Sequence, residues 1–421
     1  MVQQYINEVH AAPARTFLSD LPENSVHFVM FSPPYWALRN YETDVELETV
    51  WGGSSDCAHS WSETIPGNPR GGSGTPNDKH NRGESYGRNA PRGCVCTSCG
   101  AWKGQLGLEP SPKLYATNIA RICRELRRVL RPDGSMWLNI GDTYCTQNTR
   151  HEIVETDGGY KVEQTPTEGD KCKLLLPQRV AHTLIADGWI LRNDGVWKKT
   201  NPMPEPVEDR LSTTFEYVFH FVQSENYYYD LDSIRDPYET ITDEAIKRAS
   251  QSDDQNVTGK NPGDIFPVAT GSSEHSHFAV FPPELVQSPL NATCPPRVCS
   301  DCGTPYERIV EEKQRPDIRD RNKTKIDNTN ETGWNNNRGS WAGTPTERLS
   351  QGWEQQCDCS TNEYQPGIVL DPMCGRGTTC RVAANTNRRF IGSDINPDYI
   401  EIAQEYVPDT IQRTLTEYTS D

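Results

Sequence analysis

The sequence predicts an α/β fold, and three segments support this prediction. Residues 367–394 contain, in order, a strand, a glycine-rich turn, a helix and a second strand. Residues 26–31 are apolar and rich in β-branched or aromatic side chains, which indicates a buried strand, and residues 113–140 contain an amphipathic helix followed by a strand. Strands that alternate with helices are typical of α/β proteins, in which helices pack on a sheet.

The C-terminal segment VLDPMCGRGTT, residues 369–379, has the features of a ligand-binding turn. Asp371 and Pro372 end its short apolar strand. Gly375 and Gly377 then allow a tight turn in which the backbone approaches a ligand closely. Thr378 and the threonine after it are expected to cap the helix that follows.

A second strand, Arg389–Gly392, leads to Asp394, about twenty positions beyond the glycine turn. A carboxylate at this place can bind the hydroxyls of a ribose. The turn lacks the GK[ST] signature of a triphosphate-binding loop, so the unit predicts a site for a nucleoside. The alternative is an ordinary strand–turn–helix unit that binds nothing.

The N-terminal segment FSPPYW, residues 31–36, directly follows the first buried strand. Pro33 and Pro34 remove two backbone donors and stiffen the chain, which leaves their carbonyl groups as fixed acceptors. Ser32 adds a hydroxyl, and Tyr35 and Trp36 offer flat faces for stacking. A proline-terminated strand with surface aromatic residues is the alternative interpretation.

These residue types suit chemistry on the exocyclic amine of a nucleobase. That amine is a poor nucleophile because its lone pair is conjugated with the ring. Accepting both of its N–H bonds draws the nitrogen toward tetrahedral geometry and frees the lone pair. The base must leave the duplex, and stacking on an aromatic side chain stabilises the flipped ring by roughly 1–3 kcal/mol.

With both motifs present in this order, the sequence resembles the β-class of DNA amino-methyltransferases. The resemblance implies a Rossmann-like, mostly parallel, circularly permuted sheet of seven strands, and S-adenosyl-L-methionine as the methyl donor. Further similar blocks are residues 124–144, 197–205, 215–230 and 281–285. The implied cofactor-binding residues are Asp371, Pro372, Gly375, Gly377, Thr378, Asp394 and Phe281. Met373, Cys374 and Arg376 depart from the aromatic and small residues that the family more often has.

Family members with S-P-P-Y usually modify cytosine N4, so the resemblance implies a cytosine-N4-specific, site-specific DNA methyltransferase. Ser32 and the Pro33 carbonyl would accept the amine hydrogens, Tyr35 would stack on the ring, and Pro34 completes the catalytic motif. Cytosine C5 chemistry needs a thiolate that is generally presented by a Pro-Cys dipeptide, which this sequence lacks. The alternatives are adenine N6 as the target, a catalytically silent zinc-dependent DNA-binding regulator, and, less favoured, RNA or protein as the substrate.

Composition limits the partners and the location. No apolar run approaches the length of a membrane span and the N-terminus does not read as a signal peptide, so we expect a cytoplasmic protein without a membrane partner. Double-stranded DNA with one flipped base is the expected substrate; a cognate restriction endonuclease, and a monomer or a homodimer, remain open. The net charge of −17 is unusual for a DNA-binding protein. Either residues 121–131 or 315–325 form a locally basic face, or the acidic surface is an adaptation to high salt.

Cysteines predict two structural Zn²⁺ sites, because the 14 cysteines of a cytoplasmic protein more often indicate metal than disulfides. Each group pairs closely spaced ligands with a second pair far along the chain. The first group is Cys57, His59, Cys96 and Cys99, with Cys94 nearby; the second is Cys299, Cys302, Cys357 and Cys359, with Cys294 as a spare. The second group resembles a zinc ribbon. We expect both ions to lie far from the chemistry.

The expected organisation follows from these motifs. The catalytic domain comprises residues 1–40, 106–233 and 361–421, of which the first part carries SPPY and the last binds the cofactor. Residues 41–105 form a flexible insertion with the first zinc site, 234–280 the target-recognition region, 281–293 a cofactor contact, and 294–360 the ribbon-like insertion.

Overall fold

The computed structural model describes residues 2–36, 49–66, 92–145, 151–164, 171–237, 259–271, 281–314 and 346–407. The chain divides into two compact units. The first comprises residues 1–227, 264–290 and 368–421, and the second comprises residues 228–263 and 291–367. Most of the expected target-recognition region and the basic stretch 315–325 lie outside the described residues.

Helices and strands alternate along the described ranges. The helices are α1 (Ala14–Asp20), α2 (Pro112–Val129), α3 (Leu176–Ala186), α4 (Pro283–Thr293), α5 (Thr378–Asn385) and α6 (Pro397–Tyr406). The strands are β1 (Glu8–Ala11), β2 (Val26–Phe31), β3 (Thr49–Trp51), β4 (Cys94–Val95), β5 (Trp102–Gly104), β6 (Leu130–Ile140), β7 (His151–Thr156), β8 (Gly159–Gln164), β9 (Ile190–Lys199), β10 (Phe215–Val222), β11 (Asp236–Pro237), β12 (Gly259–Lys260), β13 (Ile265–Val268), β14 (Val298–Cys299), β15 (Glu307–Gln314), β16 (Thr346–Glu354), β17 (Tyr364–Gln365), β18 (Ile368–Asp371) and β19 (Arg389–Asp394).

The main sheet has the strand order β1-β19-β18-β2-β6-β10-β9-β13. Neighbouring strands are parallel except where β10 pairs with β6 and β9. The predicted α/β fold with a permuted, mostly parallel sheet is therefore confirmed: the C-terminal strands lie between β1 and β2. The sheet has eight strands rather than the expected seven, because β13 adds itself to the edge strand β9.

Strand β2 and one face of helix α2 contribute to the hydrophobic core. Every residue of β2 is buried, and residues 119, 122, 126 and 129, which share one face of α2, are buried as well. Strand β6 begins at Leu130, and residues 132–134 form an irregularity inside it, where its register with β2 shifts. Gly134 explains this: an added Cβ there would lie 2.8 Å from the His27 carbonyl oxygen, which means that the strands approach closely.

Two arginines of the predicted basic face, residues 121–131, also bind neighbouring parts of the fold. Arg124 forms an ion pair with Asp187 at 2.7 Å, and Arg128 donates to the carbonyl groups of Leu18 and Leu21. These cations fasten α2 to its neighbours. Among the described residues, no helix is long and apolar enough to cross a bilayer.

Candidate active site

The two sequence motifs meet at one cavity of about 350 Å³ in the first unit. Ser32 follows β2, Asp371 ends β18 and Asp394 ends β19, and all three residues line the cavity. Carboxyl ends of adjacent parallel strands lie at the same edge of a sheet, which is where ligands bind in open α/β folds. Residues more than 300 positions apart in the chain therefore face one space.

Nearly all the predicted site residues line this cavity. They are Ser32, Pro33, Pro34, Tyr35, Phe281, Asp371, Pro372, Gly375, Thr378 and Asp394. Gly377 does not line it. This glycine is the N-cap of α5, with φ +77°, and an added Cβ would lie 3.1 Å from Ala403 Cβ in α6. Gly377 thus allows α5 and α6 to pack closely, and the threonine expected as the cap, Thr378, is the first helical residue.

Several residues that line the cavity lie outside the two motifs. They include Arg15, Trp51, Gln105, Glu216, Asn396 and Tyr399. Glu216 lies in the block 215–230 that resembles the family, and it is a carboxylate at the start of the apolar, aromatic strand β10.

The N-terminal motif carries a chain of hydrogen bonds. The Ser32 hydroxyl donates to the Tyr35 hydroxyl at 3.2 Å, and the Tyr35 hydroxyl donates to Glu216 Oε2 at 2.5 Å. Lys199 Nζ lies 2.5 Å from the other carboxylate oxygen, Oε1. Burial and the adjacent Glu216 charge raise the pKa of Tyr35 well above its usual value, so the phenol keeps its proton.

The prolines and Trp36 have different surroundings from those expected. The Pro34 carbonyl accepts a hydrogen bond from the Tyr115 hydroxyl at 3.0 Å, so this oxygen already has a partner within the protein. Trp36 is only 1% exposed, and its indole N–H donates to the Glu109 carbonyl. The prediction that Trp36 offers a stacking face is therefore wrong; Tyr35 is the aromatic residue of the motif that lines the cavity.

The C-terminal motif supplies two carboxylates. Asp371 accepts the Met373 N–H at 3.1 Å, and Asp394 accepts the Gly375 N–H at 2.9 Å. Burial raises the pKa of Asp371 to about 7, and burial also raises the pKa of Asp394. Both carboxylates are shielded from water by burial. A ligand with a positive charge or with hydroxyl groups would stabilise their ionised forms.

These residues fit S-adenosyl-L-methionine, which carries positive charge, ribose hydroxyls and an adenine ring with flat aromatic faces. Gly375 has φ +50°, and an added Cβ would meet nothing within 4 Å, so the backbone is open to a ligand here. The buried ring of Phe281 supplies apolar wall. The cavity volume of about 350 Å³ lies within the range of small-molecule sites.

Two further clusters fit metal ions, and they contain the eight predicted ligands. Cys57, His59, Cys96 and Cys99 form one, and residues 299, 302, 357 and 359 form the other. Within each cluster the ligand atoms lie within 4.8 Å of one another. The sulfurs of Cys57 and Cys96 are 3.8 Å apart, close to the edge of about 3.8 Å that a tetrahedral zinc site with bonds of about 2.3 Å requires. Cys94 and Cys294 belong to neither cluster.

The first cluster lies close to the cavity wall. Trp51 and Thr49 of β3 line the cavity. Gly53, two residues further on, has φ +73°, and an added Cβ would lie 2.7 Å from Cys99 Sγ. The first cluster therefore lies near the strand that forms part of the cavity wall, and the separation of its metal from the reacting groups stays a prediction.

Comparisons with known proteins identify the family to which this chain is similar. A family model described as DNA methylase matches residues 26–301 and 306–405. The type II methyltransferase M.SfiI of Streptomyces fimbriatus is 35% identical over 246 residues, which are 58% of this chain but only 42% of that protein. M.XycI of Xanthomonas campestris pv. cyanopsidis is 28% identical over 398 residues, 93% of this chain and 84% of its own length. A solved structure described as PvuII DNA methyltransferase (cytosine-N4-specific) aligns with a TM-score of 0.47 and 14% identity over 98% of this chain and 90% of that one.

Proposed function

The chain belongs to the DNA methylase family, and we propose that it transfers a methyl group from S-adenosyl-L-methionine to the N4 amine of cytosine in a short duplex sequence. One observation carries the proposal. Ser32, whose hydroxyl suits an amine, and Asp371 and Asp394, whose carboxylates suit the methyl donor, line the same cavity. The S-P-P-Y form of the motif favours cytosine over adenine.

In this proposal the chain positions the amine. Ser32 Oγ and the Pro33 carbonyl oxygen accept its two N–H bonds, and the Tyr35 ring stacks on the flipped base. The cofactor, when bound, supplies an electrophilic methyl group on a sulfonium. The new N–C bond would form as the C–S bond breaks, the sulfur would keep the bonding electrons, and the proton that the amine then loses would pass to solvent water. Positioning and electrostatics provide the rate, so no strong base is needed.

The carboxyl ends of β18 and β19 hold the donor. Asp394 accepts hydrogen bonds from the ribose hydroxyls, in addition to those it already accepts from the backbone. Asp371 attracts the positive charge of the methionine part, and Gly375 lets the backbone approach. Phe281, Pro372 and Thr378 complete the wall.

We further propose that both cysteine clusters hold structural Zn²⁺. Tetrahedral coordination supplies the folding energy that the short strands around each cluster lack. Chelation of the metal is expected to unfold or aggregate the protein, measured by circular dichroism and light scattering. A metal-free preparation with an unchanged melting temperature would contradict this role.

The test of the reaction is to sequence DNA from an expressing host with base-modification detection, and to analyse its nucleosides by mass spectrometry. We expect N4-methylcytosine at one short sequence, and much less of it in a host that expresses Ser32→Ala. N6-methyladenine would move the assignment to adenine. Unmodified DNA together with no cofactor binding by calorimetry would favour a silent DNA-binding regulator.

The type II relatives suggest a restriction–modification system, so we also propose a cognate endonuclease that cuts the same sequence. Plasmid isolated from the expressing host should resist an endonuclease of that specificity. Cleavage of fully methylated plasmid would contradict the pairing.

A further inference from the structure

We propose that Glu216 sets the direction of the hydrogen bonds at Ser32, so that the site accepts an amine and rejects a carbonyl at the same position of the base. This inference rests on the proposed function and assigns a positioning role to a residue that neither sequence motif contains. Glu216 would act through Tyr35 and Ser32 without touching the base.

Two short contacts hold the carboxylate of Glu216. Glu216 is the second residue of β10, the strand antiparallel to β6 and β9. Its Oε1 is paired with Lys199 Nζ at 2.5 Å, and its Oε2 accepts from the Tyr35 hydroxyl at 2.5 Å. Only 14% of the Glu216 side chain is exposed, so water competes little for these bonds. An ionised carboxylate accepts hydrogen bonds and cannot donate them.

The ionised carboxylate also decides the direction of the hydrogen bond between the Tyr35 and Ser32 hydroxyls. The Tyr35 hydroxyl has one proton, and the two oxygens beside it, Glu216 Oε2 at 2.5 Å and Asn139 Oδ1 at 3.1 Å, both only accept. The amide nitrogen of Asn139 is directed elsewhere, donating to the Tyr217 carbonyl. The charged acceptor at the shorter distance takes the proton. The Tyr35 oxygen is left to accept, and the Ser32 hydroxyl lies 3.2 Å from it.

Ser32 then has no proton left for the base. Ser32 lines the cavity, and because its hydroxyl proton is directed to Tyr35, its oxygen can offer only lone pairs to a base there. A cytosine N4 amine meets these lone pairs with an N–H bond. Uracil has a carbonyl oxygen at the same position, and two acceptors would face each other. In a site with little water, such a mismatch costs roughly ten- to a hundredfold in affinity.

The experiment compares two duplexes that differ only at the target base, cytosine or uracil, in the recognition sequence that host DNA reveals. Dissociation constants are measured by fluorescence anisotropy in the presence of S-adenosylhomocysteine, and single-turnover methylation is measured on the cytosine duplex. The variants are Glu216→Gln, Glu216→Asp and Tyr35→Phe. The matched control is Glu163→Gln, whose exposed side chain makes a similar ion pair with Lys161 at 2.6 Å on β8.

We expect wild type, Glu163→Gln and, in part, Glu216→Asp to prefer cytosine. Glu216→Gln and Tyr35→Phe should lose the preference by roughly tenfold, because a glutamine amide can also donate and the direction is no longer fixed. Cofactor affinity by calorimetry should stay at the wild-type value in all variants. An unchanged affinity shows that a variant is folded, so that its lost preference for cytosine can be attributed to the direction of the hydrogen bonds. If Glu216→Gln does not fold, Tyr35→Phe interrupts the same chain of bonds at another atom.

An unchanged preference for cytosine in both Glu216→Gln and Tyr35→Phe would overturn the inference while leaving the proposed function intact. If the host DNA carries N6-methyladenine, the reaction assignment fails but the direction is still tested, with hypoxanthine in place of adenine. If wild type modifies no DNA, both proposals fail.

Discussion

Asp371 is expected to make the protein without cofactor less stable as the pH rises, which is the reverse of the usual behaviour of a carboxylate. Burial raises the pKa of this group from 3.8 to about 7. Between these values the folded protein binds more protons than the unfolded chain, so stability falls with increasing pH and becomes level above about 7. One pKa unit corresponds to about 1.4 kcal/mol, so the shift is on the order of 4 kcal/mol.

Replacing Asp371 with asparagine removes this titration and keeps an oxygen that can accept the Met373 N–H. Urea denaturation of wild type and Asp371→Asn, without cofactor and with both metals present, should give similar free energies of unfolding near pH 4. At pH 8 the variant should be the more stable one, by an amount on the order of 4 kcal/mol. The difference in free energy of unfolding between the two proteins reports on Asp371, because both proteins share all the other titratable groups. The same variant should bind S-adenosyl-L-methionine more weakly by calorimetry at pH 8, since it lacks the charge.

A stability difference that does not change between pH 4 and pH 8 would refute the reasoning, because it would show that the carboxylate titrates alike in the folded and unfolded chains. Tighter cofactor binding by the variant at pH 8 would contradict the assigned role of the charge.

Three other predictions follow from the site and its supports. Ser32→Ala should lower the single-turnover methylation rate by roughly 10²–10³-fold with unchanged cofactor affinity in calorimetry; a rate within threefold of wild type would exclude its role. Cys57→Ser should lose one zinc and weaken cofactor binding, because the first cluster supports the strand that walls the cavity, whereas Cys357→Ser should lose the other zinc. Atomic absorption and calorimetry measure both, and unchanged cofactor affinity in Cys57→Ser would argue against the support. Gly93→Ala should lower the melting temperature, because an added Cβ would lie 2.1 Å from the Lys103 carbonyl oxygen at φ +71°, whereas Gly158→Ala, with nothing within 4 Å, should not; equal melting temperatures would contradict this.

The parts of the site that were predictable are those that local chemistry specifies. A buried strand ended by prolines placed Ser32, and a strand before a glycine turn placed Asp371, because both features depend on neighbours in the chain. The eight residues of the two clusters were recognisable for the same reason, since each half of each cluster is a closely spaced pair. Strand order followed from the resemblance, and the extra edge strand β13 did not.

The errors arose where distant segments decide the surroundings of a residue. Trp36 follows the motif but is covered by the guanidinium of Arg92, 5.0 Å from its ring, and hydrogen-bonded to Glu109. Glu216 reaches the site only because β10 pairs with β6, and no pattern in neighbouring residues predicts this pairing. Gly377 serves the packing of α5 on α6, which becomes visible only when both helices are in place.

The pairing of β2 with β18 also affects the order in which the chain can fold during synthesis. The His27 ring accepts the Ile368 N–H across 341 positions, and Phe28 is in register with Val369. Until β18 has been synthesised, the edge of β2 that will pair with it stays unpaired, in a strand that is apolar except for His27. Such an edge is prone to associate with other chains, and contacts of this span form slowly. A message truncated before codon 368 should therefore yield aggregates rather than a partly active product.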